Sequence, residues 1–253
     1  MKIGIVTGAS SGIGREFVHA LDTSYSLEEI WVIARRADRL EALRAEVKTP
    51  LRVLPMDLTD PAAPDALADL LAEEKPELCV LVNASGFGRF GRFDTLTLAD
   101  QTEMIALNVR ALTAVTYVCL PHMKRGGQIF QMASASSFQP VPYIGVYSAT
   151  KAYVLSLSRS LNRELRERGI RVLAVAPFWV KTEFFNRAAT DDTVRTYRHF
   201  STPEQVVSRA VRDMRRGRDV SVCREVVRWQ VRLVKLLPHR LVMAIWCRQQ
   251  KLK

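Results

Sequence analysis

The sequence holds little of what staples or metallates a domain. Its four cysteines, Cys79, Cys119, Cys223 and Cys247, lie far apart and form no Cys-x2-Cys pair. A disulfide framework and a zinc site of the usual spacing are thereby excluded. Cys79 and Cys119 sit in apolar runs, where a buried thiol is the ordinary reading, and a reducing compartment fits. The four histidines, His19, His122, His199 and His239, make no ligand-spaced cluster, so no metal is expected. No uninterrupted apolar run approaches the ~20 residues that cross a bilayer. The turn at Gly8 comes too early for the hydrophobic segment of a signal peptide. A cytoplasmic location is the expectation. Internal repeats and low-complexity tracts are absent, and so is any recognisable nucleic-acid module; no nucleic-acid partner is expected.

Acidic residues are scarce in one region only. From Arg209 onward there are 13 Lys and Arg against 3 acidic residues, whereas the preceding chain holds 24 and 23. The body is nearly neutral and the tail carries almost all of the net charge of +11. Such asymmetry marks contact with an anionic surface.

What is present is an alternation. Short apolar runs, Ile3–Val6, Ile30–Ile33, Leu51–Leu54, Cys79–Val82, Gln128–Gln131 and Val172–Val175, are separated by amphipathic stretches. Helices are predicted over about 13–21, from the third strand's end over 61–72, over 98–120 and over 147–168, with a charged helix through Leu40, Leu43 and Val47. Short buried strands alternating with longer helices predict an α/β fold, a doubly wound parallel sheet of Rossmann-like type. Residues 1–222 are read as one domain and residues 223–253 as a basic helical extension.

After the first strand comes Thr7-Gly8-Ala9-Ser10-Ser11-Gly12-Ile13-Gly14. Glycines permit a tight turn and let backbone approach a pyrophosphate, and the helix that follows aims free N–H groups at it. A glycine turn between a first strand and a helix is the context of dinucleotide binding, with Gly8, Ser10, Ser11, Gly12, Ile13 and Gly14 as contacts. The second strand ends Ala34-Arg35-Arg36. An acidic residue there would accept from the adenosine ribose and repel a 2′-phosphate, whereas guanidinium suits the phosphate by charge and fork. NADP is expected, with Arg35 the leading contact and Arg36 the second. The plainer alternative is that both arginines, with Arg39 and Arg44, begin a solvated helix.

Tyr147-Ser148-Ala149-Thr150-Lys151 places a phenol and an ammonium on one helix face. Bringing a tyrosine from its ordinary pKa near 10 toward neutrality takes about 3 units, roughly 4 kcal/mol. The Lys151 ammonium, with the positive nicotinamide ring, is the expected source.

The Gly-x3-Gly-x-Gly spacing preceded by Thr, together with Tyr-x3-Lys, resembles the short-chain dehydrogenase/reductase family over about residues 2–185. The resemblance implies that Asp57 and Leu58 border the adenine. It also implies that Asn83-Ala84-Ser85-Gly86 stands for the family's Asn-Asn-Ala-Gly beside the cofactor. The family's serine precedes its tyrosine by 13 residues, which selects Ser134, with Ser136 as runner-up. Asn108 matches the helix asparagine that supports a proton-relay water. Pro177-Phe178-Trp179-Val180-Lys181-Thr182 matches Pro-Gly-x-Val-x-Thr, giving Pro177, Val180 and Thr182 as cofactor contacts, with Phe178 in place of the glycine. The implied roles are Tyr147 as general acid/base, Ser134 as hydrogen-bond donor to the substrate oxygen, and Lys151 on the ribose and on Tyr147. A homodimer or homotetramer through the helices near Asn108 and Tyr147 is likewise implied.

The expected function is NADP-dependent hydride transfer to or from a carbonyl or alcohol carbon of a small molecule. A non-catalytic NADP-binding scaffold or redox sensor is the alternative. The segment 184–202 reads as the substrate loop, and its Phe184, Phe185, Tyr197 and Phe200 suggest an apolar, lipid-like substrate, with packing of the loop on the body as the equal alternative. In the tail, one helical stripe carries Val222, Val226, Trp229, Leu233 and Leu236 or Leu237, and another carries Arg224, Arg228, Arg232 and Lys235. Packing on the body with a solvated basic face is the ordinary reading. Peripheral contact with the inner membrane surface stays open beside it, as does a protein partner.

Overall fold

The computed structural model describes residues 1–189, 193–194 and 200–252. Among them, the apolar runs form seven strands: β1 (Lys2–Thr7), β2 (Glu29–Ala34), β3 (Leu51–Pro55), β4 (Glu77–Asn83), β5 (Met123–Met132), β6 (Arg171–Val175) and β7 (Val220–Ser221). They make one parallel sheet in the order β3-β2-β1-β4-β5-β6-β7. The strands read as continuous apolar runs because both sheet faces are covered. Val6, Val32, Val82 and Phe130 point to one side, and their neighbours Ile5, Ile33, Leu81 and Ile129 to the other.

Helix α1 (Gly12–Ser24) and α2 (Ala37–Ala42) cover the first face. They supply Phe17, Val18, Leu21 and Leu40 to its core. The second face receives Leu67 and Leu71 of α3 (Ala63–Glu74). Next come α4 (Leu98–Ile105), a π-helical segment (Ala106–Ala111) and α5 (Leu112–Cys119), which add Ala111, Val115 and Cys119. Helix α6 (Gly145–Glu164) also runs along that side. A short α7 (Phe184–Ala188) precedes α8 (Pro203–Arg215), which returns to pack beside α1 with Val206, Val207, Ala210 and Met214. The chain ends in α9 (Glu225–Val234) and α10 (His239–Gln250). The order of winding reverses between β1 and β4, and the crevice outside their carboxyl ends is where such sheets bind ligands.

The expected elements are present, with differences at their ends. The charged helix after β2 stops at Ala42, and Leu43–Ala45 tighten into a 3-10 turn that buries Leu43 and leaves Val47 outside. Leu98–His122 is one helical rod, long and apolar enough by composition to cross a bilayer, but it lies across the sheet with Met104, Leu112, Val115 and Cys119 buried. Its π segment is centred on Asn108, and such bulges mark functional sites. Helix α6 starts two residues before Tyr147 and ends at Glu164, short of Arg168.

The tail stripe is corrected. Helix α9 buries Val227, Val231 and Val234, while Val226, Trp229, Leu233 and Leu236 stay exposed. Val227 and Val231 pack with Val222 and Ala135. Helix α9 carries two apolar stripes, and the one nearer the body in register is the one that packs. Tyr197, assigned to the substrate loop, lies outside the described residues.

Candidate functional site

The crevice at the strand ends encloses a cavity of about 470 Å3. Its first half is set by backbone. Gly8 and Gly12 sit at φ 68° and 56°, a region that costs an L side chain strain. A Cβ on Gly8 would lie 2.8 Å from the Ala84 backbone, and one on Gly14 only 2.2 Å from the Gly8 carbonyl oxygen. These glycines let α1 start against β1 and β4. Ser11 caps α1 without a side-chain hydrogen bond, and the first turn holds no acidic residue. Gly12, Ile13 and Gly14 of that turn line the crevice, so the helix presents its positive end to an anion.

Arg36 lies over this turn. Its Nη2 donates to Ser10 Oγ (3.0 Å) and Ser11 Oγ (2.9 Å), and its Nη1 to Glu183 (3.0 Å). Arg39 donates to the other Glu183 oxygen at 2.6 Å. The Arg39 and Arg36 guanidinium groups hold the Glu183 carboxyl below the usual range. Arg35 instead faces Asp57 at 3.7 Å. Both arginines line the crevice, and Arg36 is the one that reaches the turn. Arg39, one helical turn on, meets Arg36 only through Glu183. Asp57 Oδ1 accepts from the Thr59 N–H (2.9 Å) and hydroxyl (2.7 Å), and Asp57 and Leu58 line the crevice.

After β4, Ala84, Ser85 and Gly86 line the crevice and Asn83 does not. Asn83 is buried behind the wall, donating to Thr116 Oγ1 at 3.0 Å, and Gln131 donates to the same oxygen at 2.9 Å. The Asn83 Oδ1 and Gln131 Oε1 atoms find no partner. The pair joins β4 and β5 to α5, a structural place that corrects the expected cofactor contact. Pro177, Val180 and Thr182 line the crevice from the loop after β6. Thr182 lies against Gly12, where an added Cβ would meet its Cγ2 at 3.1 Å.

The second half carries the titratable groups. Tyr147 stands in the first turn of α6 and lines the cavity. Burial of its hydroxyl pushes its pKa up to about 12, against a hydrogen bond with Ser134 that lowers it. Ser134 Oγ accepts from the Ser136 N–H (3.2 Å) and hydroxyl (3.0 Å). Ser134 is the serine bonded to Tyr147, and Ser136 backs it. Lys151 Nζ donates to the Met132 carbonyl at 2.7 Å and lies 5.8 Å from the Tyr147 ring centre. Burial lowers its pKa to about 8. The expected depression of Tyr147 is therefore not produced by these side chains alone, because desolvation outweighs the neighbouring ammonium. Asn108 is fully buried in the π segment. Its amide donates to Phe87 O (2.9 Å) and Thr150 Oγ1 (3.1 Å), and its carbonyl accepts from Phe87 N (3.1 Å). It ties the loop after β4 to α6. Gly86 lies beside both, since its Cβ would fall 2.8 Å from Asn108 Oδ1 and 3.2 Å from Lys151 Nζ.

Beyond Tyr147 the wall is aromatic. Phe90 and Phe184 flank its ring at 6.2 and 5.6 Å, Trp179 stands 6.2 Å from Phe90, and Phe185 5.7 Å from Trp179. Trp246 of α10 closes the far side and donates its Nε1 hydrogen to Pro142 O at 3.0 Å. Phe178, in the place of the family's glycine, stacks beside Trp179 at 5.0 Å. Phe90, Trp246, Gln230 and Gln249 gave no motif to read; they reach the cavity only through tertiary packing.

The crevice residues fit a dinucleotide: glycines against backbone, helical N–H groups for a pyrophosphate, and guanidinium groups at the ribose end. The family model for short chain dehydrogenases matches residues 2–193. D-threitol dehydrogenase of Mycolicibacterium smegmatis is 31% identical over 83% of this chain and 84% of its own length. A short-chain dehydrogenase from Sphingobium yanoikuyae, solved in complex with NADPH, is 30% identical, with TM-score 0.78 over 91% of each chain. A short-chain dehydrogenase/reductase from Burkholderia phymatum, solved with NAD, shares the fold at 21% identity and TM-score 0.78 over 92% of each chain. The chain belongs to the short-chain dehydrogenase/reductase family. It is an oxidoreductase of that type, and its relatives bind nicotinamide cofactors.

Proposed function

We propose that this protein is an NADP(H)-dependent oxidoreductase that interconverts a carbonyl and an alcohol on an apolar, lipid-like substrate. The observation that carries the reaction is Tyr147 and Ser134 hydrogen-bonded to each other at the cavity wall, with Lys151 buried behind them 5.8 Å from the Tyr147 ring. When bound, the cofactor supplies or accepts the hydride at the substrate carbon. In reduction, Tyr147 gives its proton to the developing alkoxide oxygen, and Ser134 donates a hydrogen bond to that oxygen. The Ser134 oxygen accepts from Ser136, which leaves its hydrogen for Tyr147, and a substrate oxygen beside Tyr147 would take that hydrogen in its place. Lys151, held by Met132 O, supplies positive charge next to Tyr147 and steadies the phenolate left behind. Asn108 positions the loop and helix on which these groups stand.

NADP over NAD is supported by Arg35 and Arg36, which line the crevice at the end of β2 where an acidic residue would favour NAD, Arg36 reaching Ser10 and Ser11 of the turn. The apolar substrate is supported by the aromatic wall of Phe90, Trp179, Phe184, Phe185 and Trp246 beside Tyr147. Assembly into a dimer or tetramer through α5 and α6 belongs to the same reading. It is supported by Tyr117 on α5, which is 79% exposed, and by the exposed Tyr153 on α6. A cytoplasmic location agrees with four free cysteines.

The test is NADPH and NADH titration of the protein, followed by coenzyme oxidation against ketones, aldehydes and 3-oxoacyl compounds of increasing chain length. Turnover with NADPH that rises with chain length is the expected result. Tight NADPH binding with no turnover on any of them would favour the sensor reading.

A further inference from the structure

The C-terminal helices present a face that the body does not cover. On α9 and its end, Val226, Trp229, Leu233 and Leu236 are 56%, 66%, 57% and 82% exposed. At 100° per residue these four share one side, and the buried Val227, Val231 and Val234 lie roughly opposite. Arg228, Arg232 and Lys235 fall on the strip between the two. On helix α10, Val242 and Trp246 are buried, and Leu241 and Ile245, one turn apart and about 100° round the helix from them, are exposed. A soluble helix has no use for a second apolar stripe opposite its packed one, and exposed apolar faces rimmed by polar residues mark contact surfaces.

Charge decides what covers it. Residues 223–253 hold eight Lys and Arg and one acidic residue, Glu225. Glu225 is engaged by Arg228 at 2.5 Å. Arg232 stacks on the exposed Trp229 ring at 5.0 Å, which puts a cation and an indole side by side. This pairing suits the boundary between anionic headgroups and acyl chains. The surrounding body is close to neutral, so the attraction is local to this face.

We infer that α9 and α10 form a docking surface for an anionic lipid bilayer, with the Trp229, Leu233 and Leu236 stripe entering the acyl boundary and Arg232 and Lys235 meeting headgroups. The same helices also wall the catalytic cavity through Gln230, Val231, Trp246 and Gln249. A docked protein would thus open its apolar cavity next to the lipid. That route for substrate rests on the function proposed above; the docking does not.

The test is co-sedimentation of the full chain with vesicles of phosphatidylcholine alone and of an equal mixture of phosphatidylcholine and phosphatidylglycerol. The mixed vesicles are expected to bind at least tenfold more tightly, at roughly the scale set by two or three surface cations, and salt should weaken this. Trp229→Ser with Leu233→Ser and Leu236→Ser should lower partitioning by about tenfold or more. Arg232→Gln with Lys235→Gln should lower it by about tenfold and only on anionic vesicles. NADPH titration of each variant serves as the folding control, since none of these five residues lines the crevice. Failure to pellet with anionic vesicles, or equal pelleting of parent and triple variant, would overturn the inference. So would a dimer in sedimentation velocity that the triple variant dissolves, because the face would then belong to a second copy. None of these outcomes depends on turnover, so a failed carbonyl panel leaves the docking test intact.

Discussion

The two halves of the crevice are built from different materials. The cofactor half consists of backbone, short side chains and two arginines in the stretches 8–14 and 34–36, plus short runs of residues from the loops after β3, β4 and β6. Its shape depends on what is missing, a Cβ at Gly8 and at Gly14. The substrate half consists of large apolar side chains from five separate segments, four of them rings: Phe90, Ile144, Trp179, Phe184 and Trp246. Its shape depends on how those segments pack. The first half tolerates almost no added atom. The second can exchange one ring for another and change what it admits, as volume-conserving swaps in packed apolar sites do.

Removing the buried charge behind Tyr147, between the two halves, should give the largest effect. Lys151→Met is expected to reduce kcat by about 1,000-fold, near the middle of the range for a general acid/base step. The same variant tests the burial of the charge. The folded pKa of Lys151, about 8, is below its ordinary 10.5. The unfolded chain therefore binds the proton more tightly, and the parent gains stability as pH rises through that interval. The unfolding free energy of the parent relative to Lys151→Met should rise by roughly 2 kcal/mol between about pH 7 and about pH 10, read by urea denaturation. In the parent, carbonyl reduction should decline as pH passes about 8, where the ammonium beside Tyr147 is lost.

Arg36→Ser with Arg39→Ser sharpens the comparison from the cofactor side. The KM for NADPH should rise by about 10- to 100-fold, as for the loss of charge-assisted hydrogen bonds, while the KM for NADH changes little. Equal effects on the two would place the 2′-phosphate elsewhere. Gly14→Ala forces a Cβ within 2.2 Å of the Gly8 carbonyl. It should weaken binding of both coenzymes and cost about 1–3 kcal/mol of stability, seen as a lower Tm. On the substrate side the smallest change in rate is expected. Trp246→Leu should shift the preferred substrate toward bulkier carbonyls by a few-fold in kcat/KM, with NADPH affinity unaltered.

The same contrast explains what could be read in advance. The sheet, its order of elements, and the residues from Gly8 to Gly14 were legible because each depends on local backbone demands or on a period of apolar residues. Tyr147 and Lys151 were legible because four residues of helix fix their separation. Arg36 was ranked behind Arg35 because a sequence does not say which way a strand-end side chain turns; here Arg36 lies on Ser10 and Ser11, and Arg35 lies beside Asp57. Asn83 kept its motif place yet faces Thr116, a burial no spacing reports. The tail stripe was misassigned by one register because α9 offers two apolar stripes, and only packing on Val222 and Ala135 selects between them. Phe90 and Trp246 come from segments with no pattern of their own.

The central claim is proton transfer by Tyr147, and it is tested most directly by comparing the parent with Tyr147→Phe at saturating NADPH on whichever carbonyl compound turns over. The phenol-to-phenyl change keeps the ring that packs between Phe90 and Phe184 and removes only the hydroxyl. The account predicts an unchanged NADPH affinity and a turnover number lower by about 100- to 10,000-fold. A variant that binds NADPH and reduces the carbonyl at the parent's rate would contradict it.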